Sequence, residues 1–137
     1  MKSKRRKKNS SLSFEIEFYE KLLKEKPDFE EALIALAENY TKAGELAKGL
    51  ELDEKLSTLR PQDALVHYNL ACSYSLTGRI DEAFTVLRRA IKLGYNDFKL
   101  MDSDPDLTLL RKDQRYNELV SIIARKKRSR NGMGKAV

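Results

Sequence analysis

The residues that most often carry catalytic chemistry are scarce in this sequence of 137 residues. It contains one histidine, His67, and one cysteine, Cys72. On a helix these two residues lie on different faces, so a thiol–imidazole pair is not predicted. One histidine and one cysteine also fall short of the ligand set that a metal requires. We therefore predict no catalytic residue, no metal site and no cofactor, and expect His67 to be a partly buried core residue of a protein that is not an enzyme.

The charged side chains are the other candidates for chemistry, and they are unevenly distributed. Lys and Arg number 27 against 21 Asp and Glu, a net charge of +6. Residues 2–8 hold six of these bases and residues 125–135 hold six more, without any acid. Removing both groups leaves 15 bases against the 21 acids. Since blocks of like charge repel themselves, we predict an acidic body (12–124) between two disordered basic arms, residues 1–11 and 125–137.

The basic arms are candidates for polyanion binding. Clustered cations neutralise the phosphates of nucleic acid or the charge of an anionic surface. No aromatic residue is interleaved with them, so base stacking is not expected and binding would be nonspecific. Solvated tails that only aid solubility are the alternative. The candidate contact residues are Lys4, Arg5, Arg6, Lys7, Lys8, Arg125, Lys126, Lys127, Arg128 and Arg130.

The body of the chain is built from a repeat of 34 residues. The matched pairs are Leu36 and Leu70, Ala37 and Ala71, Tyr40 and Tyr74, Gly44 and Gly78, and Leu46 and Ile80. Pro27 and Pro61 show the same offset. A period of this length is typical of a unit that cannot bury its own apolar face and stacks on its neighbours.

Apolar residues spaced by three and four predict a helix on each side of each turn glycine. We expect a first helix capped by one of the serines at 10, 11 and 13, then helices at about 28–43 and 46–59. Asp63 is placed to cap the next helix, and its partner begins at Ile80 and ends near Leu93. Gly44 and Gly78 supply the left-handed backbone conformation that ends a helix.

The third unit is interrupted by proline. Pro105 cannot continue a helix, but after Asp104 it favours the start of a new short one. Asp113 is placed to cap a final helix that carries Tyr116, Leu119, Val120 and Ile123. An open stack needs a segment that covers its last apolar face, and we assign residues 98–124 to that cap.

With this skeleton the sequence resembles the tetratricopeptide repeat family. The second copy carries the family's large, small, aromatic and turn residues at Leu70, Ala71, Tyr74, Gly78, Ile80, Ala83 and Ala90. The first copy departs at Gly49, where the family prefers alanine. The resemblance implies an all-α solenoid of antiparallel helix pairs in a right-handed superhelix. It would comprise an N-terminal half-repeat, repeats at about 30–63 and 64–97, and capping helices.

The resemblance also implies a function. Members of the family act as adaptors that bind a peptide or a partner helix in the concave groove formed by the first helix of each pair. The residues expected there are Glu31, Ile34, Glu38, Thr41, Leu65, Tyr68, Asn69, Cys72 and Leu76. The alternatives are that these residues touch the N-terminal helix or a neighbouring protomer, and that Asn69 is a buried structural amide. The identity of the partner and the oligomeric state are not predicted.

No run of residues approaches the roughly 18 apolar residues of a membrane span. The single cysteine cannot form a disulfide within the chain, which favours a reducing compartment. A secretory signal is not predicted, because the residues after the basic N-terminus are charged. We therefore expect a cytoplasmic protein.

Overall fold

The computed structural model describes the backbone of residues 2–135 and the side chains of residues 11–130. Within that backbone every regular element is helical, which confirms the predicted all-α class. The helices are α1 (Lys2–Glu25), α2 (Glu30–Lys42), α3 (Leu46–Leu59), α4 (Ala64–Leu76), α5 (Ile80–Lys92), α6 (Phe98–Ser103), α7 (Thr108–Arg111) and α8 (Gln114–Lys135), with a 3-10 turn at Pro105–Leu107.

The helices stack in chain order. Each helix from α1 to α4 packs against the one that follows it. The turns between α2 and α3 and between α4 and α5 have the same geometry, because Gly44 and Gly78 adopt φ values of 80° and 77°. In both turns the backbone N–H after the glycine donates 2.8 Å to the tyrosine carbonyl, that of Tyr40 or Tyr74. The two tyrosines thus occupy equivalent places in successive helix pairs.

Aspartates begin the later helices, as the sequence predicts. Asp63 Oδ1 accepts hydrogen bonds from the backbone N–H groups of Leu65 and Val66, at 3.0 and 3.2 Å. Asp104 Oδ1 accepts from Asp106 N at 3.0 Å, and Asp113 Oδ1 accepts from Arg115 N at 2.9 Å. Each bond satisfies a backbone donor that lacks a partner at the start of a helical turn.

The buried side chains form two clusters. The smaller contains Leu33, Leu56 and Val66, where α2, α3 and α4 meet. The larger centres on Phe84 and Leu87 of α5 and continues into the segment after α5. There the 3-10 turn packs on α4, and α7 packs on both α4 and α5. Met101, Leu107 and Leu110 are almost fully buried, as expected of a segment that closes the stack.

The two ends of the chain differ from the prediction. The backbone is helical from Lys2 and again to Lys135, whereas the basic arms were expected to be disordered. Lysine and arginine are good helix formers, and each arm extends a helix that packing has already nucleated. Ser11 and Ser13 consequently lie inside α1 and do not cap it. The side chains of Lys4, Arg5, Arg6, Lys7 and Lys8 lie outside the described side chains.

Among the described residues, no helix combines the length and the apolar character needed to cross a bilayer.

Candidate functional site

A concave groove of about 580 Å³ lies between α2, α4 and the segment that follows α5. Eight of the nine residues predicted for a partner groove line it: Ile34, Glu38, Thr41, Leu65, Tyr68, Asn69, Cys72 and Leu76. Glu31, the ninth, is exposed on α2 but is not among the lining residues. The helices bring the predicted set together because the 34-residue repeat places α2 and α4 in equivalent positions.

Apolar side chains remain open to solvent inside the groove. Leu65 is 59% exposed, Leu100 is 45% exposed and Ile34 is 38% exposed. They belong to α4, α6 and α2, so the apolar surface spans successive units of the stack. Asn69 is also exposed, which agrees with a lining role and not with a buried structural amide.

Tyr68 and Cys72 line the groove, but both side chains are buried. The ring of Tyr68 stacks on that of Tyr95, with centroids 4.1 Å apart. Its hydroxyl donates to Asp104 Oδ2 at 2.7 Å. The segment after α5 folds back over α4 and covers these two side chains. Both are therefore structural parts of the groove's floor.

The buried groups of the floor are held in their neutral forms. Burial raises the pKa of Tyr68, and its hydrogen bond to Asp104 raises that pKa further. Burial also raises the pKa of the Cys72 thiol, with a further contribution from the nearby charge of Asp104. A thiol of this kind is protonated at neutral pH, so Cys72 lacks the thiolate that a nucleophile requires.

His67 does not supply a base to this thiol. Its Nε2 lies 2.9 Å from the carbonyl oxygen of Pro61, at the start of α4. The imidazole is half-buried, in keeping with the predicted core role. The histidine thus braces the turn before α4 and is not directed at Cys72.

Cys72, Asp104 and Asp106 bring potential metal-ligating atoms within 4.8 Å of one another. A metal binds the thiolate and not the thiol, so the raised pKa of Cys72 opposes binding. Both oxygens of Asp104 already accept hydrogen bonds, from Tyr68 and from Asp106 N. The donor set is therefore a poor fit for a metal, and we assign none to it.

The groove is lined by more acids than bases. The acids are Glu38, Asp53, Asp63, Asp104 and Asp106, and the bases are Lys42 and Arg60. The charge of Arg60 is already balanced, because its Nε lies 3.0 Å from Glu30 and its guanidinium also contacts Asp63 at 3.4 Å. The groove is therefore negative.

Asp53 is the most deeply buried of these acids. Its Oδ2 accepts a hydrogen bond from the Ser73 hydroxyl, which links α3 to α4. Burial raises the pKa of Asp53, and the hydrogen bond from Ser73 offsets a smaller part of that rise. The resulting pKa is about 6. A carboxyl group in this position titrates slightly below neutrality.

The lining residues that were not predicted for the groove include Asp53, Leu100, Asp104 and Asp106. The Asp104–Pro105 pair was interpreted only as the start of a helix. The 34-residue offset contained a further signal, since α6 begins at Phe98, which is 34 residues after the start of α4 at Ala64. The offset nevertheless maps Leu100 onto Val66, which is buried, so the repeat did not predict that Leu100 is exposed in the groove.

Comparison with known proteins agrees with this geometry. Residues 64–94 match the family model of the tetratricopeptide repeat. A curated relative, a chloroplastic protein of Arabidopsis thaliana, is 38% identical over 84 residues, which cover 59% of this chain and 25% of the relative. The chain therefore spans about a quarter of that relative's length. Because the relative is assigned to the chloroplast, the cytoplasmic location expected for the present chain stays a prediction.

Proposed function

We propose that this chain, a helical repeat protein with a tetratricopeptide repeat at residues 64–94, is a non-enzymatic module that binds a peptide or partner helix in its groove. The observation that carries the proposal is the convergence of exposed Ile34, Leu65 and Leu100 on one concave surface. Scattered apolar residues are normal on a protein surface, but a contiguous set in a groove favours a binding site.

The size of the groove limits what enters it. A volume of about 580 Å³ accommodates a few side chains and not a folded domain. We therefore expect a partner to contribute two or three anchoring residues from an extended or helical segment. A few buried anchors usually supply most of the affinity of such a contact.

The chemistry of the groove supports binding over catalysis. The Cys72 thiol has a raised pKa, and His67 is bonded to a backbone carbonyl. The thiol and the imidazole therefore do not form the nucleophile–base pair of a cysteine-dependent mechanism.

The test places a charge on the apolar surface. Leu65→Glu should abolish most groove-dependent binding, because a carboxylate replaces an apolar anchor and would lose its hydration under a bound partner. Leu109→Glu is the matched control, since Leu109 is 46% exposed and does not line the groove. Partners captured from an extract of the source organism would be quantified by mass spectrometry for wild type and both variants. Retention of every partner by Leu65→Glu, with its helical circular dichroism intact, would contradict groove binding.

A second candidate function rests on α8, whose side chains from Arg125 to Arg130 are exposed. Among the residues with described side chains, none of the ion pairs includes Arg125, Lys126, Lys127, Arg128 or Arg130. Cations without acidic partners are available to phosphates. The alternative function is therefore nonspecific binding of nucleic acid or another polyanion along this helix.

The salt dependence of binding tests this alternative. Replacing Lys126, Lys127, Arg128 and Arg130 by glutamine should weaken binding of a fluorescent 20-base-pair DNA. Because each lost phosphate contact reduces the steepness of the slope of log K against log salt by about 0.9, loss of four contacts should make the slope shallower by about 3.6. An unchanged slope, or no measurable DNA binding by wild type at low salt, would rule this function out.

A further inference from the structure

The acids of the groove lie on both sides of α4. Glu38 belongs to α2, which precedes α4 in the stack, whereas Asp104 and Asp106 belong to the segment that closes the stack. Lys42 is the remaining base, because Arg60 is held by Glu30 and Asp63. A segment that crosses α4 would meet negative charge at both ends of its path.

Asp104 and Asp106, the carboxylates of the segment that closes the stack, differ in their hydrogen bonds and ion pairs. Asp104 accepts hydrogen bonds at both oxygens, from Tyr68 and from the Asp106 backbone. The Asp106 carboxylate lies beside it, half-buried. Among the residues with described side chains, no ion pair includes Asp106. Burial and the Asp104 charge both raise the pKa of Asp106, so the protein itself destabilises this charge.

A cation from a partner would relieve that destabilisation. Lysine and arginine are suited to it, because arginine can pair with a carboxylate through two hydrogen bonds and lysine through a point charge. Exposed Leu100 and Leu65 line the same groove. When a basic residue of the partner pairs with Asp106, an adjacent apolar residue of the partner can therefore pack on Leu65 and Leu100.

We propose that the groove selects peptide segments in which a lysine or arginine stands next to a large apolar residue, with the cation at Asp106 and the apolar side chain against Leu65 and Leu100. This inference rests on the proposed function and narrows it to a class of partner. Acidic segments and free carboxyl termini are disfavoured by the same charges.

The experiment selects peptides from a random 12-residue display library on the full chain, with Leu65→Glu as the counter-selection. Peptides that require Leu65 are expected to be enriched in lysine or arginine beside leucine, isoleucine or phenylalanine. Enrichment of neutral or acidic peptides that require Leu65 would overturn the cation preference while leaving the proposed function in place. Failure to recover any peptide that requires Leu65 would overturn both.

The position of the cation is tested with the tightest selected peptide. Asp106→Asn removes the charge and preserves the shape, so the dissociation constant measured by fluorescence anisotropy should rise about tenfold. Glu118→Gln, which removes an exposed charge on α8 outside the groove, should leave it unchanged. Equal effects of the two variants would overturn the assignment of Asp106.

A second copy of the chain is the competing occupant, since residues 125–135 are themselves basic. Sedimentation equilibrium of the full chain distinguishes the two cases. A monomer throughout the concentration range supports an external partner. Self-association that Asp106→Asn abolishes would show that the groove takes the chain's own basic end, and would overturn the external peptide.

Discussion

Asp53 shows how one residue changes the properties of an otherwise regular repeat. Counting 34 residues forward reaches Leu87, which is fully buried in the larger cluster. The first unit thus has a carboxyl group where the second has an apolar side chain. Its one hydrogen-bond partner is Ser73, which only partly offsets the loss of water. The residue is therefore expected to stabilise the fold when it is protonated.

The pH dependence of unfolding tests this expectation. The pKa of Asp53 is raised from 3.8 to about 6, so the folded state binds more protons than the unfolded state between those values. Stability should consequently fall as pH rises from about 4 to 6, by roughly 3 kcal/mol for a shift of this size. Asp53→Asn keeps an oxygen for Ser73 without a charge, and should be the more stable protein at pH 7.

Urea unfolding of wild type and Asp53→Asn at pH 4.5 and pH 7 provides the measurement. The difference between the two proteins isolates Asp53, because the other carboxyl groups titrate in both. Glu118→Gln serves as the exposed control and should follow wild type at each pH. A constant difference between wild type and Asp53→Asn would show that Asp53 is ionised normally.

Single residues also show which features of the groove the sequence could predict and which it could not. Ile34, Leu65 and Asn69 could be placed on the groove from the repeat alone, since their exposure depends on the helix that carries them. The burial of Tyr68 could not be predicted from the repeat, because it depends on Tyr95 and Asp104, which lie 27 and 36 residues further along the chain. The repeat predicts which face of α4 Tyr68 occupies, but not that a later segment covers it.

At the scale of elements, Gly49 explains why the first helix pair departs from the family pattern. A Cβ atom at this position would lie 3.0 Å from Thr41 Oγ1 and 3.4 Å from the Ala37 carbonyl oxygen. The hydroxyl of Thr41 itself donates to that carbonyl at 3.1 Å. The equivalent residue of the second unit is Ala83, which is fully buried. Thr41 therefore occupies the space that an alanine would need.

A double-mutant cycle between these positions tests the explanation. Replacing glycine by alanine inside a helix normally stabilises it by about 1 kcal/mol. Gly49→Ala should stabilise the protein by less than this, or destabilise it, because the new Cβ atom would contact Thr41. In a Thr41→Ala background the obstruction is absent, and the gain of about 1 kcal/mol should appear. Urea unfolding midpoints of the four proteins would show the coupling, and an equal effect of Gly49→Ala in both backgrounds would contradict it.

The ends of the helices show the same difference between features set by nearby residues and features set by distant contacts. Helices α2 to α5 end where glycine or proline follows them, and α4 begins at its predicted aspartate cap. Those signals lie within a few residues of the helix end, so the sequence predicts them well. The outer ends of α1 and α8 do not follow such signals, since α8 continues past Gly132 and Gly134. Their charge blocks predicted disorder, while the structure continues the helix from the packed part of each element.

At the scale of the whole molecule, the two apolar clusters predict unequal stability along the stack. The cluster around Leu33 holds α2 and α3 against α4 with few buried residues. The larger cluster joins α4, α5 and the closing segment. In a stack of this kind each unit is stabilised by its nearest neighbours, so one end can unfold while the rest remains folded. The N-terminal helices are the end with less buried apolar surface.

Two matched core substitutions test this difference by hydrogen exchange. Leu33→Ala and Leu107→Ala each remove a buried leucine side chain and should cost about 2–5 kcal/mol locally. Leu33→Ala should accelerate amide exchange in α1, α2 and α3 while the amides of α5 stay protected. Leu107→Ala should accelerate exchange in α4 and α5 in addition to α1, α2 and α3. It opens the larger cluster, on which both the N-terminal helices and the helices after α3 depend. Equal acceleration throughout α2–α5 in both variants would mean that the chain unfolds as a single unit, and the groove between α2 and α4 would then form only when the whole stack is folded.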